Sequence, residues 1–316
     1  MRSIFLTLLK IGVSGVLLYL LFSRMDGATF WKTVTEVPTL SIASGLLIFA
    51  SVQCVSALRW RILIAKDTIV PYSKLVSMYF IGMFFNNFLP TLIGGDVIKG
   101  YYLYKATGRG DLSVTSVFMD RYVGLTALIL ITTISLAIGY STLNSIGGAK
   151  LVIPFLIFIG GFVFSSALLW VNFLHNWFVK ILLNIHLYGL NQKIETFYKV
   201  FMSYKKYRQG LFKAFGISII IQLGVIGGYI IIGSGIGMEV HPGYYFLFIP
   251  LGTAIAMIPL SLSGLGIREG AFVFLFSKAG ATGEQAIALS LIWFFVMALV
   301  SIIGGIEYIR VGKAKT

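Results

Sequence analysis

Charge is what this sequence has least of. Of 316 residues only 11% are Asp, Glu, Lys or Arg, while 58% are hydrophobic and the mean hydropathy is +0.92. Water-soluble domains carry about 25% charged and roughly 45–50% apolar residues, so a soluble fold is excluded. Cysteine is nearly absent as well. The single Cys54 rules out an intrachain disulfide, and its place inside an apolar run reads as helix packing, not as a nucleophile. The three histidines, His175, His186 and His241, are scattered away from any Cys or acidic cluster, so neither a metal site nor a cofactor is expected. Acids are the scarcer sign, 11 against 25 Lys+Arg, for a net charge of +14. In a soluble protein that excess would suggest nucleic acid. Here the bases cluster in loops between apolar runs, where inner-leaflet positive charge accounts for them and no nucleic-acid partner is expected.

What is present is a series of long apolar runs, near 4–23, 40–58, 112–138, 151–171, 211–236 and 284–309. Each approaches or exceeds the roughly 20 residues that cross a hydrocarbon core about 30 Å thick. The expected fold is an all-α polytopic membrane protein, a single domain over 1–316 with about six spanning helices. The first run is too long for a signal-peptide core, and polar, bulky residues follow it, so it is expected to stay as a helix.

Two further apolar stretches, 75–104 and 244–280, are interrupted by Pro, Gly and charge: NNFLPTLIGGDVIKG in the first, IPLSLSGLGIREG in the second. Proline lacks a backbone donor and glycine weakens a helix, so both are discontinuities. Bases flank the first stretch on both sides (Arg59, Arg61, Lys66 and Lys74 before it, Lys99, Lys105 and Arg109 after it). The positive-inside rule then makes it a re-entrant hairpin. With both termini cytoplasmic in a cell membrane, and 244–280 a second hairpin entered from outside, inner segments hold 18 Lys+Arg and outer ones 4. An offset of 169 residues superposes the two breaks, Pro90 on Pro259, Gly95 on Gly264 and Lys99 on Arg268, and it carries the flanking spans onto one another. Halves at about 40–138 and 211–309 then form an inverted repeat. The segment 172–210 mixes bulky apolar residues with six bases; an amphipathic cytoplasmic interfacial helix and a solvated basic loop both fit it.

An ionised side chain at the bilayer centre costs about 2.5–3.5 kcal/mol even on a lenient scale, so interior charges mark function. Asp96 and Lys99 lie in the first break, Arg268 and Glu269 in the second, Asp120 and Arg121 inside the third span. Each acid has a base close in sequence and could pair with it locally. The functional reading has Lys99, Arg121 and Arg268 converging on an anionic group, with the acids tuning them. Gly94-Gly95 and Gly264-x-Gly266 precede helical restarts whose free N–H groups suit phosphate. Asn86 and Asn87 either donate to a headgroup or satisfy the broken backbone. Arg59-Trp60-Arg61 reads as an interfacial anchor where a span meets the inner face.

The strings RWRILI at 59–64, NNFLPTLIGGDVIKGYYL at 86–103, SVFMDRYVGL at 116–125 and PLSLSGLGIREGAFVFLF at 259–276 resemble the flippase-like integral membrane proteins. That family includes the transmembrane region of bacterial lysylphosphatidylglycerol synthases and stand-alone bacterial and archaeal relatives. The resemblance covers nearly the whole chain. It implies a lipid-translocating fold with re-entrant helices, and it puts Asp96, Asp120, Arg121, Arg268 and Glu269 on the family's polar motifs. Thr91 departs from the family's usual Gly, and Lys99 from its usual Arg, which changes a bidentate fork into a point charge. The expected activity is flippase- or scramblase-like movement of a phospholipid or polyprenyl-phosphate lipid, its phosphate held by interior Arg and Lys. With no soluble synthase domain in 1–316, an enzyme is not expected. The alternative is an intramembrane lipid-headgroup or polyprenyl-phosphate transferase using Asp96 or Asp120 as base. There is no G-x-x-x-x-G-K-[ST] string, so any driving energy would come from an ion or lipid gradient.

Overall fold

A computed structural model of the chain describes residues 2–23, 25–64, 70–88, 94–145, 152–171, 201–202, 204–256 and 264–313. Among these residues there are eleven α-helices and no strand: α1 (Arg2–Phe22), α2 (Gly27–Thr35), α3 (Thr39–Leu63), α4 (Tyr72–Phe88), α5 (Gly94–Thr107), α6 (Gly110–Ser145), α7 (Val152–Trp170), α8 (Arg208–Gly235), α9 (Pro242–Ala256), α10 (Ile267–Lys278) and α11 (Gly283–Lys313). Helix is the expected outcome in an apolar solvent, because it satisfies every interior backbone donor and acceptor within one segment. The tips of both broken stretches, with Pro90, Thr91 and Pro259, and most of 172–210 lie outside the described residues.

Length separates the helices into two classes. At about 1.5 Å per residue, α3, α6, α8 and α11 run roughly 38, 54, 42 and 46 Å. All four are apolar and long enough to cross a bilayer. By the same measure the described lengths of α4, α5, α9 and α10 are about 25, 21, 22 and 18 Å.

The short helices come as antiparallel pairs. Gly82 on α4 lies against Gly95 and Lys99 on α5, while Asn86, one turn further along α4, accepts a hydrogen bond from the Gly95 N–H. In the second pair Phe248 on α9 meets Phe276 on α10, Gly252 meets Phe272, and Ala256 meets Gly264. The closest approaches use glycine. A Cβ on Gly95 would run into the Gly82 carbonyl oxygen, and Gly264 additionally sits at φ +78 in the turn before α10.

The centre of the bundle is the pair α3–α8, which lie antiparallel along their length: Ser41 faces Gly235, Gly45 faces Ile232, Val52 faces Gly224 and Arg59 meets Ser218. Small residues let these backbones close on each other, as expected where lipid offers no hydrophobic drive between helices. Around them the packing recurs with a shift of five elements. α3 touches α4, α6 and α11, as α8 touches α9, α11 and α6; α4 touches α5 and α11, as α9 touches α10 and α6; α5 touches α6, as α10 touches α11. The apolar core sits at the α3–α8–α11 junction, where Tyr229 stacks on Trp293 at 4.5 Å and Phe49 meets Trp293 edge-on. Four of the six expected spans are thus long apolar helices, and α1 and α7 occupy the other two positions. Helix α2 is an addition. It falls in a segment that reads as a loop, yet Asp26 accepts from the N–H groups of Ala28 and Thr29 and starts a helix that packs on α11.

Candidate functional site

Three helices bring five ionised side chains into one connected ladder. At its inner end Arg59, near the C-terminus of α3, donates through Nε to Asp120 Oδ1 on α6 at 2.8 Å and through Nη1 to Ser218 Oγ on α8 at 3.0 Å. Lys99 on α5 reaches the other Asp120 oxygen at 2.9 Å and lies 3.8 Å from Asp96. Asp96, one turn before Lys99, receives both Nε and Nη2 of Arg121 at 2.7 and 3.0 Å, a bidentate pair. The Tyr79 hydroxyl on α4 donates to Asp120 at 3.1 Å, and the Lys99 ammonium lies over the rings of Trp60 and Tyr79 at 4.8 and 4.3 Å.

Accessibility is concentrated at one end of this ladder. Asp120 is 0% exposed and the Lys99 side chain 3%, whereas the Arg121 side chain is 60% exposed although it sits well inside α6. Adjacent residues on a helix point about 100° apart, so Asp120 faces α3 while Arg121 turns toward α5 and the outside of the bundle. The ladder holds three cations (Arg59, Lys99, Arg121) and two carboxylates (Asp96, Asp120), a surplus of one positive charge that ends on its accessible member.

A second cluster lies at the start of α10. Arg268 donates to Glu269 Oε1 at 2.8 Å and to Ser290 Oγ on α11 at 2.8 Å; Ser290 in turn donates to the same carboxylate at 2.7 Å. The other Glu269 oxygen accepts the Gly266 N–H, capping the helix start. Here the charge is balanced and the carboxylate wholly enclosed.

These positions correct several expectations. Arg59 and Trp60 are not interfacial anchors: both are buried, Arg59 on Asp120 and Trp60 donating to Ser116 Oγ. Only Arg61 of that triplet is exposed. Asp120 does not pair with its neighbour Arg121, because i and i+1 diverge on a helix; Asp96 takes Arg121 and Asp120 takes Arg59 and Lys99. Arg268 pairs locally with Glu269 as expected, but no hydrogen bond or ion pair among the described residues joins its cluster to Lys99 and Arg121. Asn86 satisfies the Gly95 backbone, and Asn87 donates to the Met297 carbonyl on α11 at 3.4 Å. Gly94, Gly95, Gly264 and Gly266 all stand at the restarts of α5 and α10. Sequence reasoning missed Tyr79, Ser218 and Ser290; their one signal is a hydroxyl inside an apolar helix.

Fold and site together define a polytopic helical membrane protein that keeps an ionised network inside its bundle. Its family is more specific. The chain belongs to the lysylphosphatidylglycerol synthase TM region family, whose model matches residues 7–305. It is similar to a UPF0104 membrane protein of Methanothermobacter thermautotrophicus, 24% identical over 306 residues, covering 87% of this chain and 84% of that one. A UPF0104 membrane protein of Pyrococcus horikoshii is 25% identical over 302 residues, with 90% and 89% covered. One of Methanocaldococcus jannaschii is 26% identical over 234 residues, with 67% and 86% covered. No solved structure matches the chain.

Proposed function

We propose that this protein moves a phospholipid or polyprenyl-phosphate lipid between leaflets without covalent change, and that Arg121 receives the lipid phosphate. One observation carries the reading: a buried charge ladder with a surplus of one positive charge whose excess ends on the half-exposed Arg121. A phosphodiester brings one negative charge, and Arg offers it the same bidentate fork that Asp96 now occupies. Asp96 holds the fork that a phosphate would take, and Lys99 holds the carboxylate so that Arg121 can change partners. The acyl chains stay in the bilayer.

The inverted repeat supports this reading. Under the 169-residue offset α3 corresponds to α8, and these two run antiparallel, as halves of opposite orientation require. In this reading the hairpins α4–α5 and α9–α10 turn back within the membrane and enter from opposite faces, with both termini cytoplasmic in a cell membrane. Arg268 serves the second hairpin as a pin between α10 and α11.

Fluorescent-lipid exchange in proteoliposomes at matched protein density tests the reading. Removing a charge partner from a desolvated phosphate costs about 2–5 kcal/mol, so Arg121→Gln should abolish exchange while expression and monodispersity stay near wild type. Lys99→Arg should retain exchange. Wild-type rates in Arg121→Gln would end the phosphate assignment, and a new lipid product in the vesicles would favour a transferase.

A further inference from the structure

A cavity of about 360 Å³ opens between α6, α7 and α8, at the lower end of small-ligand pockets. Met119, Tyr122 and Val123 on α6, Trp170 on α7 and Phe215 on α8 make its bed, and Arg208, the first residue of α8, stands at its mouth. At about 100° per residue these α6 positions lie on roughly the opposite side of that helix from Asp120 and Arg121, so the cavity is separate from the charge ladder.

The cavity is amphipathic in the sense a lipid requires. Its bed is hydrocarbon and aromatic. At the end where α7 stops and α8 starts, the Trp170 indole N–H donates to the Tyr122 hydroxyl at 2.9 Å, and the Lys205 ammonium donates to the Trp170 carbonyl at 2.6 Å. Arg208, in its lining, and Lys206, two residues earlier, are exposed, and the sequence has no Asp or Glu between Glu195 and Glu239. Basic residues at one end of an apolar slot complement an anionic phospholipid, with its phosphate on Arg208 and one acyl chain in the slot. We propose that this cavity holds such a lipid as a resident ligand, bound against the back of α6 and distinct from any lipid handled at Arg121.

Trp170 makes the proposal measurable. The full chain is placed in nanodiscs of equal phosphatidylglycerol and phosphatidylcholine, in which only one of the two carries brominated acyl chains, and the readout is the quenching that disappears on Trp170→Phe. Brominated phosphatidylglycerol should act as if enriched about fivefold over phosphatidylcholine, the effect of one basic side chain near a membrane surface. Arg208→Gln, an exposed substitution, should reduce that enrichment to parity. Val123→Phe should fill the slot and remove the Trp170 quenching by both lipids while the protein stays monodisperse. Equal quenching by the two lipids in wild type, a preference that survives Arg208→Gln, or no Trp170-dependent quenching would each overturn the proposal. Lipid exchange measured on the same variants is independent, so failure here leaves Arg121 untouched.

Discussion

Asp120 carries more of the ladder than any other side chain, because each of its oxygens neutralises a different buried cation. Replacing it by Asn leaves Arg59 and Lys99 enclosed without their shared counter-ion. Breaking a buried pair this way costs about 3–5 kcal/mol, so Asp120→Asn should lower the thermal unfolding midpoint in detergent sharply. Asp96→Asn takes a partner from the exposed Arg121 and a second, more distant carboxylate from Lys99, but leaves Lys99 its 2.9 Å pair with Asp120. It should therefore lower the unfolding temperature less than Asp120→Asn does. Equal losses in the two variants would show that burial does not grade the ladder as described. The ionised residues themselves were legible in the sequence, since charge in an apolar run stands out. Their pairing was not. It depends on helix rotation and on which helices touch, so Asp96 finds Arg121 twenty-five positions away and Asp120 passes over its immediate neighbour. Arg59 was misread for a related reason, because Arg-Trp-Arg at the end of a span has the composition of an interface anchor whichever way it faces.

Helix elements were legible wherever hydropathy alone decided them, and the two broken stretches declared themselves through Pro, Gly and charge. The hairpin geometry rests on finer contacts. Gly95 leaves no room for a side chain beside the Gly82 carbonyl, whereas a Cβ on Gly100 would meet Val117 at an ordinary 3.7 Å. Gly95→Ala should therefore force α4 and α5 apart, with an overpacking penalty of about 1–3 kcal/mol or more and loss of monodisperse protein. Gly100→Ala on the same helix should be neutral or stabilising by up to about 1 kcal/mol. Size-exclusion profiles of the pair would decide it. Helix α2 escaped notice because nine residues give little periodicity, although Asp26 before Gly-Ala-Thr is a cap signal. The Thr29 hydroxyl, then the N–H groups of Ala28 and Thr29, hold the Asp26 carboxyl below its ordinary value of 3.8. That contribution is present above 3.8 and is lost as pH falls through the lowered folded value. Amide protection at Ala28 and Thr29, taken relative to the intrinsic exchange rate at each pH, should accordingly stay constant from neutral pH down to about 3.8 and fall below it.

At the scale of the molecule the charge distribution and the packing point to one arrangement by separate routes. Counting bases would put Lys74 and Lys105 on the same side, even with the buried Arg59 and Lys99 left out of the inner total. Packing independently makes α4 and α5 antiparallel, so the start of α4 and the end of α5 fall at one end of the bundle. The same geometry applied to α9 and α10 brings Glu239 and Thr282 to the other end, since α3 and α8 are antiparallel. All four positions are exposed. Single cysteines at 74, 105, 239 and 282, each in a Cys54→Ser background, should therefore label as two pairs with a membrane-impermeant maleimide: 74 with 105 from inside, 239 with 282 from outside. If 74 and 105 label from opposite sides, α4 and α5 cross the membrane as separate spans, and the re-entrant first hairpin fails. If all four label from one side, the halves are parallel and the repeat is not inverted, whatever Arg121 binds.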